Sequence, residues 1–189
     1  MENIDMSQDR GIIVFGAPGA GTSTVGLALA KELGYNHIET DDISGEMIDE
    51  PPFRISYTLD ERISRLNTAI EKCNNFVVSG SMWDWGDSFI PLFDLAVFIT
   101  TPIDLRIERL EQREKERHGE RICDGGDMYD RHKWFVAWAK TYDTDNPDRS
   151  LKLHENWIDT LTCPVLRVNG TLLVTDIVVQ ILKQFTESS

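Results

Sequence analysis

The sequence predicts a three-layer α/β/α fold around a five-stranded parallel sheet. Short apolar runs recur along the chain without the polar alternation of a half-exposed strand. Between them lie stretches with apolar residues at spacings of three and four, which are typical of amphipathic helices. Strands that alternate with helices in this way form a parallel sheet with helices on both faces.

Glycine and proline residues help to locate the boundaries of the predicted strands and helices. The predicted strands are residues 12–15, 36–39, 76–79, 95–99 and 164–168. The predicted helices are residues 24–33, 59–72, 102–117, 129–142, 149–161 and 174–185. Gly34 ends the first helix, and Pro102 suits the first turn of the third. Three glycines in residues 119–127 indicate a loop.

Length and charge narrow the classes of protein. The chain has 189 residues, which predicts a single domain over residues 1–189. Its formal charge of −13 argues against a nucleic-acid partner, because phosphate contacts need a positive face. No apolar run is long enough to span a membrane, and residues 1–10 do not resemble a signal peptide. Three scattered cysteines favour a cytoplasmic location. Oligomeric state stays open.

A glycine-rich loop follows the first predicted strand. Residues 16–23, GAPGAGTS, match G-x-x-x-x-G-K-[ST] except at Thr22, where the motif has lysine. In such a loop, backbone N–H groups and the following helix N-terminus hold phosphate, and the Ser23 hydroxyl would bind Mg²⁺. A glycine-rich turn capped by Thr22 or Ser23 is the alternative. The predicted cofactors are ATP and Mg²⁺, and the predicted cofactor-binding residues are Gly16, Ala17, Pro18, Gly19, Ala20, Gly21, Thr22, Ser23 and Thr24.

The run GAPGAGTSTVGLALAKELGYNHIETDD resembles the opening of P-loop small-molecule and nucleoside monophosphate kinases, including shikimate, gluconate, adenylate and cytidylate kinases. The resemblance covers most of the chain. It implies a P-loop NTPase fold, an acceptor-binding segment at about residues 40–75 and a lid at about residues 117–128. Archaeal-type cytidylate kinases likewise have Gly-Thr at this point, which implies that Thr22 is compatible with transfer.

Carboxylates follow the second predicted strand. By resemblance to shikimate kinases, Asp41 would hold or deprotonate the acceptor, and Glu39 would lie near the metal and the substrate. A general base must lie within hydrogen-bond reach of the acceptor hydroxyl. Alternatively, Asp41 or Asp42 caps the next turn.

Arginines offer a substitute for the missing lysine. Arg109 and Arg113 match an R-L-x-x-R pattern that precedes the lid in the related kinases, where its arginines reach the phosphates. They are predicted as catalytic residues with Asp41, because guanidinium groups stabilise a transferring phosphoryl group. Glutamates interleave with them, so a solvated helix with ion pairs is the alternative. Arg54 would meet an anionic acceptor.

The third predicted strand ends in a further group of candidates. Gly80 would allow close approach of the acceptor, and Asp84 would bind its hydroxyl or Mg²⁺. Trp83 and Trp85 either stack on a ring or pack in the core. A second aromatic stripe, at helical spacing, predicts core packing for Trp134, Phe135, Trp138 and Tyr142.

Three functions are compatible with these residues. The first is an ATP-dependent phosphotransferase acting on a nucleotide or a small hydroxylated metabolite. The second is a nucleotide-binding sensor or partner module without transfer, which Thr22 supports. The third is a simple ATP hydrolase.

Overall fold

The fold is a parallel sheet with helices on both faces, which confirms the predicted class. A computed structural model describes residues 10–51 and 53–187. In these residues the strands are β1 (Arg10–Gly16), β2 (Asn36–Glu39), β3 (Gly45–Met47), β4 (Arg54–Ser56), β5 (Asn75–Ser79), β6 (Leu95–Thr100) and β7 (Val165–Asn169). The main sheet has five parallel strands in the order β2-β5-β1-β6-β7. β3 and β4 form a separate antiparallel hairpin.

The helices form the outer two layers. They are α1 (Thr22–Leu33), α2 (Thr40–Ser44), α3 (Leu59–Ile70), α4 (Ile103–His118), α5 (Tyr129–Lys140), α6 (Leu151–Ile158) and α7 (Val174–Glu187). α1 and α7 cover one face of the sheet, where Val14 and Val97 pack against Leu29 and Ile181. Leu66 of α3 and Trp157 of α6 pack on the other face. Among the described residues, no helix has the length and hydrophobicity to cross a membrane.

The central strand β1 is buried over residues 11–16, and only Arg10 at its start is partly exposed. Ile12, Ile13, Val14 and Phe15 are all fully buried. β1 lies between β5 and β6, so both of its edges are hydrogen-bonded. Burying each side chain of this size contributes roughly 1.5–3 kcal/mol, so β1 is a rigid support for the loop that follows it.

The predicted boundaries are accurate for the regular elements and incomplete around residues 40–56. All five strands of the main sheet lie within one or two residues of their predicted positions. The predicted helix at residues 149–161 is shorter at both ends: the Ser150 side chain accepts a hydrogen bond from Leu153 N and so sets the start of α6, and the helix ends at Ile158. The hairpin β3–β4 and the short α2 were not predicted, because strands of three residues leave little periodicity in a sequence.

The aromatic stripe on α5 is only partly core. Tyr142 is buried, and Phe135 and Trp138 pack partly against α4. Trp134 is 65% exposed, so its predicted core position is wrong. The buried residues of α5 that pack on α4 are Val136 and Ala139, each one position beyond a member of the stripe.

His154 joins α6 to the end of β5 through a buried hydrogen-bond network. Its Nε2 lies 2.8 Å from the Ser81 hydroxyl, and its Nδ1 lies 2.7 Å from the Tyr142 hydroxyl. Burial, with a smaller contribution from the charge of Arg149, lowers the pKa of His154 to about 3. The imidazole is therefore neutral and connects three separate segments of the chain.

We expect mild acid to destabilise the protein through His154. As pH falls from 6.5 toward 3, the unfolded chain takes up a proton on this side chain while the folded chain does not. The free energy of unfolding should therefore fall by about 2 kcal/mol between pH 7 and pH 5. Urea unfolding of the wild type and His154→Gln at both pH values measures this loss. The wild type should lose about 2 kcal/mol more than the variant, and equal losses would contradict the assignment.

Candidate functional site

The glycine-rich loop lies between β1 and α1, at the carboxyl edge of the sheet. Gly21 precedes α1 with φ +101°, a left-handed conformation that glycine adopts without strain. α1 begins at Thr22, so the backbone N–H groups of its first turn have no helical partners. A loop and a helix N-terminus placed in this way offer several N–H donors to one ligand, and phosphate binding by residues 16–24 stays a prediction.

Ser23 and Glu39 meet beside this loop. The Glu39 carboxyl hydrogen-bonds the Ser23 side chain and accepts a hydrogen bond of 3.0 Å from the Ser79 hydroxyl. The Ser79 hydroxyl also lies 2.6 Å from His37 Nε2. A hydroxyl and a carboxyl at this point are the ligand types that Mg²⁺ takes in nucleotide sites. Among the described residues, no group of three or more His, Cys, Asp or Glu side chains could hold a metal ion.

The pKa of Glu39 is shifted strongly upward. Its pKa is raised to about 7, mainly by burial and further by the charges of Asp41 and Asp42, while hydrogen bonds with Ser23 and Ser79 partly offset this rise. A cation at this position would favour the ionised carboxyl. Without one, the group is partly protonated near neutral pH.

Gly80 lets β5 end close to α2. Its φ is +115°, and a Cβ there would lie 1.8 Å from the Thr40 hydroxyl. No other residue fits without displacing Thr40. The close approach therefore holds the ends of β2 and β5 together, where the predicted acceptor residues lie.

Asp41, Asp84 and Arg149 share one charged region at this edge. Asp41 and Asp84 are both exposed. Burial lowers the pKa of the Arg149 guanidinium, the carboxylates of Asp41 and Asp84 raise it, and the nearby charge of Arg62 lowers it. The four side chains are thus electrostatic neighbours, although they come from α2, α3 and two loops.

Arg62 and Arg149 were not among the predicted site residues. Arg149 lies one residue before the Ser150 cap of α6, outside the helix that the sequence predicts to contain it. Arg62 lies in the first turns of α3, where its Nε donates to the Tyr57 carbonyl at 3.0 Å. The sequence did contain a signal for Arg149. This arginine follows an acidic stretch at residues 143–148 and stands next to Ser150, a residue type that often caps a helix.

Arg54 lies beside this region but is tied to the backbone. Its Nη2 donates to the Asp41 carbonyl at 3.0 Å, so it links β4 to α2. The Asp41 carboxylate is not used in this contact. Arg54 therefore supports the position of Asp41, and its contact with an acceptor stays a prediction.

The two tryptophans after β5 have structural partners. Trp85 is buried, and its Nε1 donates to the Ser81 carbonyl at 3.3 Å. Trp83 is half-buried, and its Nε1 donates to the Asp148 carbonyl at 3.1 Å. The hydrogen bond from Trp83 to Asp148 holds the segment that contains Arg149.

Arg109 reaches the glycine-rich loop from α4. Its Nη1 donates to the Ala20 carbonyl at 3.4 Å, and its Nη2 donates to the Gly170 carbonyl at 3.0 Å. The guanidinium thus bridges the loop and the turn after β7. Arg113, one turn further along α4, pairs with Glu114 at 3.5 Å, and its buried Nε has no hydrogen-bond partner among the described residues.

Residues 117–128 lie against the β3–β4 hairpin. Ile122 and Met128 form a small apolar cluster with Phe53. Arg121 pairs with Asp127 at 2.8 Å and donates to the Asp49 carbonyl at the same distance. This segment, predicted as a lid, is therefore in contact with the predicted acceptor-binding segment at residues 40–75.

Replacing Glu39 should stabilise the protein when no metal is present. The unfolded carboxyl ionises near pH 4.5 and the folded one near 7, so the stability that depends on its proton is lost as pH rises through this range. Above pH 7, Glu39→Gln should increase the free energy of unfolding by about 3 kcal/mol, and below pH 4.5 it should have little effect. Urea unfolding in EDTA at pH 8 and pH 4.5 tests this.

The exposed Glu32 of α1 supplies the control. Glu32→Gln should leave stability nearly unchanged at both pH values, because this side chain is exposed to solvent. If Glu39→Gln destabilises the protein at pH 8 as much as at pH 4.5, Glu39 is a structural hydrogen-bond partner only.

Two relatives are similar to this chain in sequence. An uncharacterised protein, YqaC of Bacillus subtilis (strain 168), is 37% identical over 174 residues, which cover 92% of this chain and 96% of that protein. A cytidylate kinase of Methanocaldococcus jannaschii is 28% identical over 115 residues, which cover 54% of this chain and 64% of the enzyme.

Solved structures show the same fold at lower identity. A shikimate kinase from Acinetobacter baumannii in complex with shikimate has a TM-score of 0.59 and 17% identity, over 97% of this chain and 96% of that one. A gluconokinase from Sinorhizobium meliloti 1021 has a TM-score of 0.50 and 19% identity, over 95% and 93%. The model of the family AAA_18, described as an AAA domain, matches residues 12–133. With its phosphate loop, its parallel sheet and these relatives, the chain belongs to this family and is a P-loop kinase-like protein.

Proposed function

We propose that the protein transfers the γ-phosphoryl group of Mg²⁺-ATP to a small anionic acceptor. The observation that carries this proposal is the division of the sheet edge into two adjacent regions. One has the glycine-rich loop with Ser23 and Glu39, and the other has Asp41, Asp84 and Arg149. A phosphotransferase needs a donor site and an acceptor site side by side.

The donor side would use mostly backbone groups. N–H groups of the loop and the first turn of α1 would hold the phosphates, with Ser23 and Glu39 as the protein's ligands to Mg²⁺. Mg²⁺, when bound with the nucleotide, would neutralise charge on the phosphate oxygens. Arg109 would supply part of the positive charge that Thr22 lacks, because its guanidinium already contacts the loop at Ala20.

The acceptor side would orient the nucleophile. In the reaction, an acceptor oxygen forms a bond to the γ-phosphorus, the bond from phosphorus to the β,γ-bridging oxygen breaks, and the acceptor's proton leaves to Asp41 or to water. Arg149 and Arg62 would hold the anionic group of the acceptor, since the chain is otherwise strongly acidic. The unpartnered Nε of Arg113 supports its predicted contact with a phosphate.

Residues 117–128 would act as the lid that excludes water during transfer. Their contacts with the hairpin support a joint movement, because Arg121 joins Asp49 to Asp127. The acceptor-binding segment and the lid would then close as one unit.

Thr22 favours a second candidate, nucleotide binding without transfer. It occupies the first position of α1 and contributes a hydroxyl in place of an ammonium group. Thr22→Lys distinguishes the two candidates. An increase in ATP affinity with no transfer to any acceptor, in either protein, would support the binding module.

We expect Asp41→Asn to remove transfer and to leave ATP binding intact. The change keeps the volume and removes the carboxylate that would orient or deprotonate the acceptor, which typically costs 10²–10⁴-fold in rate. Thermal melting with Mg²⁺-ATP should still show stabilisation, about 2.7 kcal/mol at 100 times the Kd. Steady-state assays across an acceptor panel measure the rate.

Asp42→Asn is the matched control for this experiment. Asp42 is the neighbouring exposed carboxylate in the same turn of α2, so its variant should keep most of the activity. An Asp41→Asn protein with wild-type kcat would remove Asp41 from the mechanism.

Arg109→Ala should weaken ATP binding about tenfold to a hundredfold. The guanidinium bridges the loop and the turn at Gly170, and a hydrogen bond from a charged group contributes roughly 1.5–3 kcal/mol. Arg109→Lys keeps the charge but loses the two-pronged bridge, so its affinity should be intermediate. Calorimetric titration with Mg²⁺-ATP gives the Kd values. Equal affinity in all three proteins would place Arg109 outside the donor site.

A further inference from the structure

We infer that the acceptor is of the nucleoside monophosphate class, with its planar ring bound against an exposed pair of indoles on α5. This inference rests on the proposed function, because it concerns the acceptor of that reaction. We refer to the pair, Trp134 and Trp138, as the indole ladder.

The indole ladder is an exposed aromatic surface with regular geometry. The rings of Trp134 and Trp138 are nearly parallel, with an angle of 13° and centroids 6.2 Å apart. Phe135 adds a third ring at 6.0 Å from Trp138, inclined by 24°. Trp134 remains 65% exposed, which is unusual for the largest apolar side chain and leaves a flat surface open to a ligand.

The indole ladder begins in the charged acceptor region. The Arg149 guanidinium lies 5.4 Å from the centre of the Trp138 ring. Arg149 is the same side chain that interacts with Asp41 and Asp84. A ligand that places an anionic group on Arg149 therefore reaches the indoles with its remaining atoms.

At its other end, the indole ladder approaches the hairpin. Arg131 lies one turn before Trp134 on α5, and its Nη2 contacts Met47 Sδ of β3 at 3.7 Å. Met47 is 46% exposed and Ile55 of β4 is 50% exposed. The ladder thus runs from the acceptor carboxylates toward an apolar surface on the predicted acceptor-binding segment.

The chemistry of these groups fits a nucleoside monophosphate. Indole surfaces stack on planar heteroaromatic rings, carboxylates accept hydrogen bonds from sugar hydroxyls, and arginines bind phosphate. A polyol acid or a sugar phosphate would engage the carboxylates and arginines but would leave the exposed part of Trp134 uncovered. The exposed indole is therefore the feature that selects a ring-bearing acceptor.

The test compares ligands that differ only in the ring. Calorimetric titrations of the full chain, with Mg²⁺ and a non-hydrolysable ATP analogue present, use CMP, UMP, AMP and GMP against ribose 5-phosphate. At least one monophosphate should bind tenfold or more tightly than ribose 5-phosphate, because stacking of one base contributes that much or more to affinity. Equal affinity for ribose 5-phosphate would overturn the inference.

Three variants locate the effect. Trp134→Ala should weaken the monophosphate tenfold or more and leave ribose 5-phosphate unchanged, while Trp134→Phe should recover most of the affinity. Val179→Ala removes a similarly exposed apolar side chain from α7 and should change neither ligand. Thermal melting confirms that each variant is folded. Unchanged monophosphate binding by Trp134→Ala would overturn the inference.

Three further outcomes are informative, and the first two separate this inference from the proposed function. If Mg²⁺-ATP stabilises the protein and only ring-free acids bind as acceptors, the inference fails and the phosphotransferase proposal stands. If no nucleotide stabilises the protein at all, the proposed function fails first. If sedimentation shows a dimer that Trp134→Ala dissociates, the indole ladder is an interface between copies of the chain and the inference fails.

Discussion

The site depends on the burial of β1 at the centre of the sheet. Its side chains are shielded on both faces, and its backbone is paired on both edges, so its carboxyl end has a fixed position. The glycine-rich loop begins there and turns directly into α1, which packs back on the same sheet through Val25 and Leu29. A phosphate-binding loop that works through backbone N–H groups needs this support, because its donors cannot adjust as side chains do.

Most of the donor side could be predicted from sequence, because its information is local. The apolar run of β1, the loop glycines and the first residues of α1 are consecutive in the sequence, and each adopts its conformation for a local reason that its residue types reveal. Glu39 was predicted from its place at the end of β2 together with the resemblance to shikimate kinases, and its contact with Ser23 follows from the order of β2, β5 and β1 in the sheet. The rule that ligands lie at strand ends indicated the edge, and the resemblance indicated the residue.

The acceptor side was less predictable, because its residues come from distant parts of the chain. Asp41 and Asp84 follow two strands and were predicted from that position together with the resemblance to related kinases. Arg149 reaches them from before α6, and its place is set by the Trp83 bond to Asp148 and by the Ser150 cap.

The wrong prediction of a core position for Trp134 has a related cause. Helical spacing shows which residues share a face, but it does not show whether another element covers that face.

Positive charge marks both halves of the proposed site. The chain has an excess of acidic residues, yet Arg109 lies at the loop and Arg62 and Arg149 lie at the proposed acceptor edge. Arginine stays charged when it is partly buried, and its fork matches phosphate and carboxylate groups. In an otherwise acidic protein, such positions attract anions selectively, since the remaining surface repels them.

The same argument gives a reason why phosphoryl transfer, as proposed, would tolerate Thr22 in place of lysine. A P-loop lysine would place its charge from within the loop, whereas here α4 brings the Arg109 guanidinium to the loop from outside. The charge would then depend on the packing of α4, and therefore on the position of the segment that follows it.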